Sequence, residues 1–262
     1  PPTFSYHQPY FQHMRAINDY FGRAGYLMTR GVPEADVLLL HSIGSAWACH
    51  TPPRKALSGP VPADYRQAHK LSTQLEDTLT LLVGQHRDVH LGDEELLKMH
   101  GRIKDGRLVC GKMSYKVVVV PPSVTWRSST VEMLDALASQ GGKVLIVSPE
   151  PRMVDARLDK GRWQALIKRR GVSVTTRAEL AGALEKVLPK AVSVADADGD
   201  QIPDIRHAWR IEPRKKIFFF CNVSRNKTYA ATIHLPGRGQ VQRWNPCDGS
   251  VTPIDAVSKG DV

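Results

Sequence analysis

The chain has few of the features that assign a function outright. No G-x-G-x-x-G follows its first apolar segment and no G-x-x-x-x-G-K-[ST] occurs, which disfavours dinucleotide and P-loop sites; the nearest approach to a phosphate loop is Ile43-Gly44-Ser45. Its four cysteines, Cys49, Cys110, Cys221 and Cys247, show no C-x-x-C spacing, so a zinc ribbon or thioredoxin-like centre is not expected. Cys221 and Cys247 fall on expected strands of one small sheet region and could pair, although free buried thiols are preferred. No apolar run approaches the roughly 18 residues of a membrane span. The longest, Val117 to Pro122 and Ile217 to Cys221, have strand length. The sequence begins Pro-Pro-Thr, without Met and without a signal-peptide pattern, as an internal piece of a longer polypeptide would, and this leaves the compartment open.

At 262 residues there is room for one large or two modest domains, and 42% hydrophobic with 24% charged residues is ordinary for a globular protein. The net charge of +10 invites a nucleic-acid reading. The basic residues are dispersed, however. Lys168-Arg169-Arg170 closes an expected helix, where cations favour the dipole, and Arg214-Lys215-Lys216 occupies an expected hairpin turn. With no recognition motif beside the charge, neither a nucleic-acid nor a membrane partner is expected.

Hydrophobic periodicity divides the chain. From Tyr10 to Thr29 the residues Phe11, Met14, Ile17, Tyr20, Phe21, Ala24 and Leu27 follow three/four spacing, which predicts an amphipathic helix with Gly31 just past its end. Ala35–His41 reads as a strand buried on both faces, and Asp88–Leu91, Tyr115–Pro121, Lys143–Ser148 and Val172–Thr175 read as further strands. Helices are expected at Ala63–Gln85, from Asp93, and at Ser128–Gln140, Lys160–Arg170 and Arg177–Leu188. A hairpin over Arg102–Lys112 turns on Asp105-Gly106. Strands alternating with helices call for an α/β doubly wound parallel sheet, in the order 2-1-3-4-5. The stretch Ser42–Pro62 reads as a long loop, either functional or in contact with something else. After Pro189 only short strands and turns are expected, as in an antiparallel module.

Ligands of open α/β sheets bind beyond the carboxyl ends of the strands. Those ends carry His41-Ser42, Gly92-Asp93-Glu94, Pro121-Pro122-Ser123 and Ser148-Pro149-Glu150. Ser123 is a conceivable nucleophile, but two prolines do not make a G-x-S-x-G elbow. Asp93, Glu94 and Glu95 could supply a carboxylate pair, although favourable charge in a helix first turn is the preferred reading. Trp47 and Trp126, in strand-end loops, are the better candidates for stacking on sugars, whereas Trp163 on a helix is expected in the core. His86 and His90 have a helical metal-ligand spacing across what reads as a helix-to-strand transition. Asp196, Asp198, Asp200 and Asp204 resemble a calcium loop without EF-hand spacing, and a polar hairpin turn is preferred. No other cofactor is expected. Asn222-Val-Ser224 and Asn226-Lys-Thr228 are formal glycosylation sequons.

The motifs HQPYFQHMRAINDYF, GVPEADVLLLHSIGSAW and LGDEELLKMHGRIKDGRLVCGKMSYKVVVVPPSVTWRSSTVEMLDALASQGGKVLIVSPEP, followed by IRHAWR, FFFCNVS and VQRWNPCDGSVTPI, resemble the later part of large bacterial α-L-rhamnosidase-like glycoside hydrolases. The resemblance covers nearly the whole chain. It implies that residues 1–30 are the tail of a catalytic (β/α) barrel. Residues 35–188 would be a flavodoxin-like, amidotransferase-like domain without amidotransferase activity, and 190–262 the start of a β-sandwich. The barrel's acid and base have no matching positions, so no catalytic residue is carried over. The implied partners are the parent enzyme's carbohydrate substrate and the barrel of the same polypeptide, with His41, Ser45, Trp47, Asp93, Glu94 and Trp126 as substrate-rim candidates. The open alternatives are a stand-alone carbohydrate- or partner-binding module and a hydrolase acting through Ser123 or Glu94.

Overall fold

The computed structural model describes residues 6–49 and 63–256. They fall into two compact units, one of residues 34–207 with 220–234, the other of the chain up to Pro33 with 208–219 and the segment from Leu235. The two units interleave along the sequence.

The larger unit is built on a five-stranded parallel sheet in the order Val172–Thr175, Lys143–Val147, Val117–Val120, Val37–Leu40, Val89–Gly92. Numbered along the chain this is 2-1-3-4-5, as expected from the alternation of elements. The central strands VLLL and VVVV are buried at every position. Because successive side chains of a strand point to opposite faces, each such run supplies two cores. Leu38, Leu40, Val118, Val120, Val144 and Ile146 pack on one face with Leu134 and Leu137 of the Ser128–Ser139 helix and with Trp163 and Leu166 of the Arg162–Ile167 helix. Val37, Leu39, Val117, Val119, Leu145 and Val147 pack on the other with Leu82 of the Ala63–Gly84 helix and with Leu180 and Leu184 of the Leu180–Val187 helix. Helices thus cover both faces.

Three departures from the sequence reading bear on the strand ends. Residues Ile43–Ala48 form a short helix where a loop is expected, while 50–62 lie outside the described residues. The expected Tyr115–Pro121 strand is two elements. Met113–Tyr115 joins a small antiparallel sheet with Gly101–Lys104 and Arg107–Cys110, and Val117–Val120 alone enters the parallel sheet. Thr125–Trp126 pairs in parallel with Met153–Val154, which in turn pairs antiparallel with Arg157–Leu158. These pairings are long-range or very short, and neither leaves a periodic signal. The expected turn at Asp105-Gly106 is present, with φ of 52° and 69°. A Cβ on Gly106 would stand 2.7 Å from the Gln140 carbonyl oxygen, so the turn admits only glycine there.

In the same unit Ser193–Ala195 pairs with Thr232–His234, and Val194, Ile202 and Ile205 form a satellite core with Phe220 and Tyr229. No helix of the described residues is long and apolar enough to cross a membrane.

The smaller unit holds the helix Met14–Met28, preceded by a 3-10 turn at Phe11–His13. Val32–Pro33 pairs with Ile211 and Arg210, Arg30 Nε donates to Glu212 Oε1 at 2.8 Å, and Arg23 Nη1 donates to the Pro246 and Cys247 carbonyls at 2.9 Å. Trp209 stacks on Phe218 at 5.2 Å between centroids, and Val241–Trp244 pairs with Val251–Ile254. No residue of the Met14–Met28 helix is buried within this unit, although its pattern is amphipathic.

Candidate functional site

The carboxyl edge of the parallel sheet collects most of the residues that sequence reasoning nominates. Each strand delivers its next residues to that edge, and burial separates the nominees. After Val37–Leu40, the His41 N–H donates to the Gly92 carbonyl at 2.9 Å, which extends the strand pairing by one residue and leaves His41 half-buried. The Ile43–Ala48 helix then places Ser45 inside and Trp47 outside. Ser45 is 0% exposed. Its Oγ donates to the Thr125 carbonyl at 2.6 Å and accepts from the Val124 and Thr125 amides at 3.1 and 3.0 Å. All its hydrogen-bonding capacity serves to hold the segment after Val120, so Ser45 is not a rim residue. Trp47 is 65% exposed.

After Val89–Gly92, Asp93 caps the Glu94–His100 helix, its Oδ1 accepting from the Glu95 and Leu96 amides at 2.9 and 3.0 Å. This is the preferred charge-at-helix-start reading. Glu94 is 3% exposed. Its Oε2 accepts from the Arg127 amide at 2.8 Å and from Thr130 Oγ1 at 2.6 Å. Arg127 is the N-cap residue of the Ser128–Ser139 helix and has no capping side chain of its own. Glu94 therefore caps that helix from another element, and a carboxylate at a helix N-terminus is electrostatically favoured. Glu95 forms an ion pair with Arg127 at the surface. Asp93 and Glu94 are thus both capping groups, as the preferred helix-start reading has it for Asp93.

After Val117–Val120, Ser123 Oγ accepts from Trp126 Nε1 at 2.6 Å. Ser123 is 7% exposed and Trp126 1%. Among the described residues no histidine or carboxylate bonds to Ser123, so nothing is placed to take its proton. Trp126 cannot stack on a sugar, because its ring lies in the core. Thr125 Oγ1 accepts from the Ala156 amide at 3.0 Å, and Asp155 Oδ1 accepts from the Ser128 amide at 2.9 Å. That amide bond holds the Asp155 carboxyl below its ordinary value.

A cleft of about 270 Å³ opens at the same edge, lined by Gln74, Thr78, Pro122, Ser148 and Arg177. Arg177 forms an ion pair with Asp77, and Thr78 Oγ1 donates to the Gln74 carbonyl at 2.7 Å. Sequence reasoning missed Thr125, Arg127, Thr130, Asp155 and, of the lining residues, Gln74, Thr78 and Arg177, while Pro122 and Ser148 stand at strand ends it named. The run Arg127-Ser128-Ser129-Thr130 ahead of an apolar stretch is a helix-start signal that points to the capping set.

The remaining nominees separate. Asp196 Oδ1 accepts from the Asp198 and Asp200 amides at 3.1 and 2.9 Å, which makes the polar turn, and Gly199 sits in it at φ 89°. Asp204 accepts from the Tyr229 hydroxyl instead. No group of three or more His, Cys, Asp or Glu is gathered as for a metal among the described residues. His86 and His90 point to different partners. His86 meets Ile205 and Gln201, whereas His90 Nδ1 lies 3.1 Å from the Tyr115 hydroxyl. Burial lowers the His90 pKa and pushes the Tyr115 phenol up to about 12. Trp163 is in the core as expected. All four cysteines are unbridged, but Cys221 and Cys247 are exposed, not buried.

No protein-family model and no curated protein matches this sequence. Among solved structures the chain is similar to a GH42 exo-carrageenase from Bacteroides ovatus, at 12% identity and a TM-score of 0.45, over 90% of this chain and 30% of that one. It is also similar to a β-galactosidase from the psychrophilic Marinomonas ef1, at 12% identity and 0.39, over 78% of this chain and 38% of that one. A third is the β-galactosidase from Bacillus circulans sp. alkalophilus, at 13% and 0.38, over 88% and 28%. The chain spans between 28% and 38% of the length of these three proteins, all named as glycosidases.

Proposed function

We propose that this chain is a non-catalytic scaffold section of a glycoside hydrolase, with Trp47 facing the carbohydrate. The observation that carries the reading is the commitment of Ser45, Asp93, Glu94 and Ser123 to hydrogen bonds that hold the strand ends together. An edge built this way presents a shaped surface without a nucleophile or an acid/base pair. The glycosidase part rests on the motif order that resembles the rhamnosidase-like hydrolases, and a flavodoxin-like doubly wound domain followed by the start of a β-sandwich is part of the same reading. On this reading the carboxylates that cleave the glycosidic bond are supplied from outside residues 1–262. The exposed side chains of Ile17 and Phe21, at 45% and 66%, share a helix face and are then covered by the catalytic domain.

Trp47 also favours a second reading, a carbohydrate-binding module that acts alone. Two measurements separate the readings. The purified chain is assayed against chromogenic α-L-rhamnosides and β-galactosides, and its self-association is followed by sedimentation. A scaffold section gives no turnover and associates through the Met14–Met28 face, which Phe21→Ser relieves. A stand-alone module is monomeric without substitution. Turnover that disappears in Ser123→Ala or Glu94→Gln would establish the hydrolase alternative and reject both.

A further inference from the structure

A buried histidine cluster lies at the far end of the larger unit's helix Ala63–Gly84, away from the strand-end residues discussed above. His86 follows that helix with φ 53° and is 1% exposed. Its Nε2 lies 2.9 Å from the Ile205 carbonyl oxygen, a contact that requires a hydrogen on Nε2. Its Nδ1 lies 3.0 Å from Gln201 Nε2 and 3.4 Å from the Val194 amide nitrogen. The orientation of the Gln201 amide is fixed independently. Lys190 Nζ donates to Gln201 Oε1 at 2.6 Å, and Gln201 Nε2 donates to the Gly84 carbonyl at 2.9 Å. Both neighbours of Nδ1 are therefore N–H donors, and Nδ1 must present its lone pair. The hydrogen-bond pattern selects the neutral Nε2–H tautomer. A second proton on Nδ1 would face two donors inside a buried site.

The surrounding charges work in the same direction. The His207 ring stands edge-on to His86 at 5.9 Å, with its own Nε2 3.0 Å from Asp88 Oδ2. Lys190 reaches Gln201 from the other side, and Arg206 Nη1 lies by the Thr80 carbonyl at 3.4 Å. Arg87, next along the chain, is paired with Glu185. No carboxylate bonds to the His86 ring among the described residues. Burial lowers the His86 pKa, the Ile205 carbonyl and, more weakly, the Ile202 backbone oppose this, and His207 and Lys190 add to the lowering.

We propose that His86 is a proton-sensitive rivet that, while neutral, fastens the Ser193–Ala195 ribbon and Ile205 to the end of the Ala63–Gly84 helix, and that protonation releases. Ser193–Ala195 is the ribbon that pairs with Thr232–His234, so its release also frees that strand. The sign follows from the lowered pKa. Above the ordinary histidine value the rivet is complete. As pH falls below that value the unfolded or opened form binds the proton first, and the opening equilibrium rises by up to about tenfold per pH unit until the folded-state pKa is passed.

The test is made on the whole chain. Long-range ¹H–¹⁵N spectra assign the His86 tautomer, and amide exchange of Val194 and Ile202 is followed from pH 7.5 to 5 after correction for intrinsic rates. The expected result is the Nε2–H tautomer, neutral below the ordinary histidine value, with protection of both amides falling by up to tenfold per unit in acid. His86→Gln keeps an N–H for the Ile205 carbonyl but does not titrate, so its ribbon protection is flat with pH. An Nδ1–H tautomer, a His86 titration at or above the ordinary value, or flat protection in the unsubstituted chain would overturn the proposal. So would a His86→Gln variant that keeps the original slope. If that variant does not fold, the spectra and exchange of the unsubstituted chain decide the question.

Discussion

The Val37–Leu40 and Val117–Val120 strands and the Met14–Met28 helix are all patterned for burial, yet only the strands achieve it within their own unit. The two strands are covered on both faces by helices, and Leu39, Leu40 and the four residues Val117–Val120 are 0% exposed. The helix carries Ile17 and Phe21 on an apolar stripe with no residue buried. A strand of an open sheet obtains its cover from the helices that connect it to its neighbours, so its core is complete wherever the alternating pattern is complete. A single amphipathic helix has to find its cover elsewhere. The difference teaches that a periodic pattern reports a need for burial and does not say which partner meets it.

The largest effect expected from this contrast is in the sheet. Leu39→Ala opens a cavity between layers and should lower unfolding stability by about 2–5 kcal/mol in denaturant titration. Phe21→Ser in the helix should change it by less than about 0.5 kcal/mol. A comparable loss from both would show that the helix is buried within the unit after all. Next comes Glu94→Ala, which leaves the Arg127 amide and the Thr130 hydroxyl without their acceptor and should cost about 1–3 kcal/mol. Glu94→Gln keeps one acceptor oxygen and should cost less. Gly106→Ala should cost roughly 1 kcal/mol or more, since the turn has φ 69° and the new Cβ meets the Gln140 carbonyl.

The smallest stability effect is expected for Trp47→Ala, within about 0.5 kcal/mol, because the side chain is 65% exposed. The same substitution should weaken oligosaccharide binding severalfold in calorimetry. Unchanged binding would remove Trp47 from the proposed carbohydrate face.

These residues also mark how far the sequence could be read. Strand order was legible because Val37–Leu40, Val117–Val120 and Lys143–Val147 are continuous apolar runs separated by helical periods, and few topologies accept that alternation. The capping role of Asp93 was legible because it is local, reaching only two and three residues ahead. The roles of Ser45 and Glu94 were not, since their partners lie 80 and 33 residues away and are brought close only by the sheet. Trp47 and Trp126 were indistinguishable as strand-end tryptophans. The short helix Ile43–Ala48 turns one outward, while the Ser123 hydroxyl holds the other in the core. His86 carried a metal-ligand spacing with His90, but its left-handed backbone and the network around Gln201 give it a different role, set by residues more than 100 positions away.

The most direct test of the scaffold reading is hydrolysis of chromogenic α-L-rhamnosides and β-galactosides by the purified chain, measured beside Ser123→Ala and Glu94→Gln. The account predicts rates equal to buffer for all three proteins. Turnover by the unsubstituted chain that either substitution abolishes, with the fold retained, would contradict it.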